Sequence, residues 1–163
     1  MLYMIIALVI VAGDQLLKHW VTANIELGAV REFIPNILSL THIKNTGAAF
    51  SILSEHTWIL AVISVAASVA LGYFALKKTL PKWERFAIAM ILGGCVGNAI
   101  DRVFLGYVVD MFKVEFVNFA IFNLADVFID VGAALFVVLY LVRASKEEKA
   151  AKAAKQSEGQ SGD

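Results

Sequence analysis

Asp101 closes an apolar run from Phe86 to Ile100, and Asp126 opens another from Leu124 to Val142. If the chain crosses a bilayer between these runs, both carboxylates arrive at the same water-facing edge. A carboxylate at the edge of hydrocarbon is costly unless it is paired, hydrated or used. Two carboxylates close together cannot both ionise comfortably, so they share a proton and titrate as a pair. One then activates water as a general base, and the other protonates the carbonyl or the leaving group. Asp101 and Asp126 are therefore expected as the catalytic pair.

Each residue also has a plainer reading. Gly93 and Gly97 form a small face for helix packing, after which Asp101 and Arg102 could be an interfacial ion pair with Asn98 on the same side. Asn123 could be the N-cap of the next helix, with Asp126 in its first turn favoured by the helix dipole. Asp130 lies one turn, ~6 Å, deeper than Asp126 on the same helix face and competes with it. Asp110 reads as a structural anchor. Asp14 and Lys18, four residues apart, are either a self-neutralising pair or a brace for the site. His19, His42 and His56 lack ligand spacing, so no metal is expected. Cys95, the single cysteine, sits mid-helix among small residues and is expected to be inert; Ser51, Ser54, Ser64 and Ser68 have no nearby base.

The elements that position these groups follow from composition. The chain has 163 residues, 60% hydrophobic and 17% charged, with a mean hydropathy of +0.74. Soluble domains run nearer about 45–50% apolar and 25% charged. The excess falls in four blocks, 2–22, 57–76, 84–101 and 124–142, each near the ~20 residues that span ~30 Å of hydrocarbon. A cleaved signal peptide is the rival reading of the first block, but Met1–Ile6 carries no Lys or Arg and so no basic leader region. The formal net charge is +0, and no nucleic-acid partner is expected.

Basic residues orient the spans. Lys77, Lys78, Lys82 and Arg85, with Arg143, Lys146, Lys149, Lys152 and Lys155, make nine of the 14 Lys and Arg. By the positive-inside tendency the 77–85 loop and both termini are cytoplasmic. The connections 23–56 and 102–123 then lie outside. Phe33–Ile43, with Pro35 near its start, reads as one or two short strands followed by a turn at Asn45-Thr46-Gly47. In 108–116, Phe112, Val114 and Phe116 alternate with Lys113 and Glu115, a strand period. The two outer segments are expected to pair into a small extracytoplasmic sheet that covers the aspartates and offers an edge to an extended peptide. Residues 1–143 are expected to form one four-helix membrane domain, with 144–163 a cytoplasmic tail that extends the last helix briefly and then disorders.

Five blocks in order over about residues 10–135 resemble bacterial lipoprotein signal peptidase, the signal peptidase II family. They are Asp14-Gln15-Leu16-Leu17-Lys18, Asn45-Thr46-Gly47-Ala48-Ala49-Phe50-Ser51, Gly97-Asn98-Ala99-Ile100-Asp101-Arg102, Gly106-Tyr107-Val108-Val109-Asp110 and Phe122-Asn123-Leu124-Ala125-Asp126. The resemblance implies an aspartic endopeptidase of the bacterial inner membrane that needs no cofactor. Its partners would be membrane lipid and a lipidated prolipoprotein, cut just before a diacylglyceryl-modified cysteine. By position it makes Asp101 and Asp126 the catalytic pair. Asn98, Arg102 and Asn123 would contact substrate backbone or orient the pair, Asn45 and Gly47 would shape the peptide-holding loop, and Asp14 and Lys18 would support the site. Leu17 and Cys95 stand where the family pattern has Thr and Ala, and Asp130 is outside the pattern. The protein is expected to be a monomer. The competing classes are a small proton- or ion-coupled transporter, with Asp14, Lys18, Asp101, Asp126 and Asp130 as a relay, and a non-catalytic membrane scaffold. Against the transporter, the two halves contain no matching Pro-broken helices.

Overall fold

The computed structural model describes residues 2–47, 57–77 and 80–160. Ala48–Phe50, Ser51, Ser54, His56 and Lys78 of the sequence reading lie outside them. The order is α1 (Leu2–Asn24), β1 (Val30–Ile34), β2 (Leu38–Asn45), α2 (Thr57–Lys77), α3 (Lys82–Phe104), β3 (Val108–Val114) and α4 (Leu124–Gln160). All four helices are long and apolar enough to cross a membrane.

Small residues make α3 the hub. In its apolar stretch 61% of residues are buried in protein, against 28% in α1, 11% in α4 and 6% in α2. The other three helices therefore leave most of their apolar surface for lipid. A Cβ at Gly93 would come within 2.8 Å of Ile10 Cβ, and one at Gly94 would collide with the Ala125 carbonyl oxygen. Gly132 of α4 meets the Ala87 carbonyl in the same way. Glycine on both partners lets backbones approach where lipid supplies no hydrophobic drive for helix association.

The strands form one antiparallel sheet in the order β1-β2-β3. Pro35, expected near a strand start, lies instead in the turn between β1 and β2. It has no N–H to donate to a ladder, and Asn36 beside it takes φ 58°, a left-handed conformation that asparagine tolerates. Leu38 pairs with Val114 and Asn45 with Val108, with a register shift between Leu40 and Ile43. In β3 the alternation sends neighbouring side chains to opposite faces. Val109 and Met111 pack with Val21 of α1 and Ile25 just beyond its end in a buried cluster, which turns Asp110 to the opposite face, towards Asn123 at the start of α4.

At the other end of the bundle, buried Glu84 of α3 accepts from Arg143 Nε of α4 at 2.8 Å and from Nη2 at 3.2 Å. Beyond that pair α4 runs on to Gln160, further than the brief extension expected from sequence. The segment is rich in Ala, Lys and Glu, strong helix formers, with Lys152–Glu148 and Arg143–Glu147 paired one turn apart.

Candidate active site

Asn123 and Asp126 start α4 with a reciprocal capping box. The Asp126 N–H donates to Asn123 Oδ1 at 3.0 Å, and the Asn123 N–H donates to Asp126 Oδ2 at 3.1 Å. The capping reading of these residues is thus correct, and it does not exclude chemistry. The other Asp126 oxygen, Oδ1, accepts Asn98 Nδ2 at 2.7 Å. Asn123 Nδ2 reaches across to Asp110 Oδ1 at 2.7 Å, and Asn45 Nδ2 donates to Asp110 Oδ2 at 2.8 Å. Asn45 Oδ1 in turn accepts the Gly47 N–H at 2.9 Å. One asparagine therefore touches both carboxylates, which line a cavity of about 700 Å³ together with Asn45, Asn98 and Arg102. Asp130 lies on the same wall with its side chain exposed.

Burial of Asp110, which is 2% exposed, raises its carboxyl from the usual 3.8 to about 6. The charge of Asp126 adds to the rise, and the Asn45 and Asn123 hydrogen bonds oppose it. A carboxyl raised in this way holds its proton up to about pH 6, well past the ordinary carboxylate range, because burial penalises its charged form.

Asp101 lies elsewhere. It is 2% exposed and is absent from the cavity wall. Its Oδ2 takes Lys18 Nζ at 3.0 Å and the Val109 N–H at 3.1 Å, and its Oδ1 takes Gln15 Nε2 at 2.9 Å. Among the described residues no hydrogen bond links it to Asp126. Sequence spacing paired Asp101 with Asp126, but the fold turns Asp101 towards α1, and β3 brings Asp110 to Asn123, which bonds Asp126 as well. The apolar-apolar-acid step Val108-Val109-Asp110 was the available signal: a lone acid in a buried strand.

Asp14 and Lys18 pair with each other and also contact α3 and the start of α4. Lys18 Nζ contacts Asp14 Oδ2 at 2.9 Å and donates to Asn98 Oδ1 at 2.9 Å. Asp14 Oδ1 accepts the Ala125 N–H at 2.9 Å, satisfying an orphan donor in the first turn of α4. A lysine can only donate, so it fixes the Asn98 amide with its oxygen inward and its NH₂ towards Asp126.

The fold and site define a polytopic membrane protein with a carboxylate pair at one end of its bundle, the arrangement of an intramembrane aspartic hydrolase. Residues 6–142 match the family described as Signal peptidase (SPase) II. Lipoprotein signal peptidase from Latilactobacillus sakei is 42% identical over 144 residues, covering 88% of this chain and 95% of that protein. The enzyme of that name from Streptococcus pyogenes serotype M5 is 45% identical over 138 residues, covering 84% and 91%. A solved bacterial membrane enzyme superposes with a TM-score of 0.83 at 33% identity, over 88% of this chain and 90% of that one. The chain belongs to the signal peptidase II family. It is an aspartic peptidase and a multi-pass bacterial membrane protein, and the comparisons lend no support to the transporter reading.

Proposed function

We propose that this enzyme removes signal peptides from prolipoproteins with Asp110 and Asp126 as its catalytic dyad. The observation that carries the assignment is Asn123 donating to both carboxylates at the cavity wall. Asp126 takes a proton from water, and the hydroxide oxygen bonds to the scissile carbonyl carbon as Asp110 gives its proton to the carbonyl oxygen. Collapse of the tetrahedral adduct breaks the C–N bond, the amine leaving with the proton held by Asp126 while Asp110 recovers its own. Asn98 and Asn123 orient the pair, Asn45 and Gly47 shape the wall that meets the peptide, and Arg102 offers N–H donors to substrate carbonyls.

The scissile bond is the one preceding a diacylglyceryl-modified cysteine. A lipidated precursor is already confined to the membrane plane, so its acyl chains can stay in lipid while the peptide reaches the carboxylates. The basic residues at the Glu84–Arg143 end support cytoplasmic termini and a site on the outer face. The working unit is a monomer, with residues 1–143 as its membrane domain. Purified protein mixed with diacylated and non-acylated precursor is expected to yield a shortened product from the first only, beginning at the modified cysteine by mass spectrometry. Equal cleavage of both precursors would refute the substrate assignment.

A pH dependence follows from the shared proton. As pH rises through about 6, Asp110 loses its proton and the active singly protonated pair becomes doubly charged, so kcat/KM falls on that side. Asn45→Ala removes a hydrogen bond that holds the Asp110 value down, so the falling limb moves to higher pH. The same sign governs stability: between 3.8 and about 6 the folded state holds more proton than the unfolded one, and this contribution fades as pH rises. A pH–rate profile that is flat from pH 5 to 8 would contradict the assignment.

A further inference from the structure

We propose that Ser64 of α2 is a positioning residue. It holds the Arg102 guanidinium at the cavity wall, clear of the carboxylates around it, so that the remaining Arg102 N–H groups stay open to substrate carbonyl oxygens. The inference rests on the reading of Arg102 as a substrate contact.

Arg102 lies in the last turn of α3, where a long cationic side chain ordinarily extends outwards to water. Here Nη1 donates instead to Ser64 Oγ at 3.2 Å, on the neighbouring helix α2, which packs against α3. That is the one side-chain hydrogen bond Arg102 makes among the described residues. No carboxylate of the described residues lies within ion-pair distance of it, although Asp126, Asp110 and Asp101 all act on it through space. Arg102 also lines the cavity. A guanidinium has five donors, and among the described residues only one of those in Arg102 has a side-chain acceptor.

Ser64 suits the task by being neutral. A carboxylate partner would bind more strongly and would take the donors and the charge together. A hydroxyl fixes the position and leaves the charge in place. Ser68 is occupied on its own helix, donating to the Ser64 carbonyl oxygen at 2.8 Å, which leaves the Ser64 hydroxyl for Arg102. Without the tether the guanidinium can swing out to water or close on Asp126, and either movement withdraws it from the substrate.

The test is steady-state cleavage of a diacylated precursor by the full chain in detergent or lipid. Ser64→Ala is expected to raise KM about tenfold, the order lost with one hydrogen bond to a charged group, while kcat stays within about twofold. Ser64→Thr, which keeps the hydroxyl, restores KM. In an Arg102→Gln background, Ser64→Ala adds nothing further, as a shared route requires. Arg102→Gln with raised KM alongside Ser64→Ala with normal KM would overturn the tether alone. An equal Ser64→Ala effect in both backgrounds would also overturn it, marking an independent packing role. Normal KM in Arg102→Gln would overturn the substrate-contact reading and the tether with it.

Discussion

Asp110→Asn and Asp126→Asn are each expected to lower cleavage of a diacylated precursor by about 10²–10⁴-fold, the range supplied by a positioned acid or base. Neither should reduce the amount of folded protein. At position 110 the amide oxygen serves only one of the Asn45 and Asn123 donors, which bond different carboxylate oxygens. The cost is one buried hydrogen bond, ~1–3 kcal/mol, less than for Asp101→Asn. Asp101→Asn should behave differently, because its carboxylate is buried against Lys18 and holds the Val109 N–H beside the dyad. Breaking one side of such a buried pair costs about 3–5 kcal/mol. Its activity loss should therefore come with a lower unfolding temperature. Parallel measurements of turnover and thermal unfolding in detergent separate the three variants. An Asp110→Asn enzyme that still turns over at the parent rate would end the dyad assignment, and an Asp101→Asn enzyme that is inactive at full stability would return that residue to the pair.

Lys18→Met should give the largest loss of stability. The ammonium supplies its contacts to Asp14, Asp101 and Asn98 with 3% of the side chain exposed. Removing it leaves two buried carboxylates facing each other without a cation. The cost is again about 3–5 kcal/mol or more, enough to consume much of the about 5–15 kcal/mol by which proteins typically resist unfolding. Adding Asp101→Asn to Lys18→Met should restore part of that stability, because one unpaired charge is gone. Cleavage should stay depressed even so, because nothing then prevents the Asn98 amide from turning its oxygen towards Asp126. Unfolding curves for the single and double variants check the first point, and turnover per folded molecule checks the second. A Lys18→Met protein as stable as the parent would refute the buried-cluster account.

Much of the architecture could be read directly from the chain. The four apolar blocks became α1 to α4, with starts within a few residues of those expected. The β-branched stretch around Leu38–Asn45 and the alternation after Val108 became paired strands. Helix ends were less legible: α4 outruns its hydrophobic block because helix propensity continues after hydropathy stops. The turn at Pro35 was misplaced because an apolar run conceals a reversal that only the missing N–H and the left-handed Asn36 betray. Within the site, Asn45, Asn98, Arg102, Asn123 and Asp126 all line one cavity. Ser64 carried no motif and was considered only as a nucleophile.

The order of residues by itself determined the membrane class, the number of spans and the family. Those are properties of hydropathy and local spacing, and they survive without knowledge of how elements face one another. Which acid stands opposite Asp126 was decided by tertiary structure alone. Asp101, in the last turns of α3, and Asp110, in β3, are nine residues apart. The step Val108-Val109-Asp110 marks Asp110 only as a lone acid in a buried strand, without saying which acid faces Asp126. The difference arises when Val109 and Met111 bury against α1, because a strand's period of two then sends Asp110 to the other face, while Lys18 draws Asp101 into the bundle.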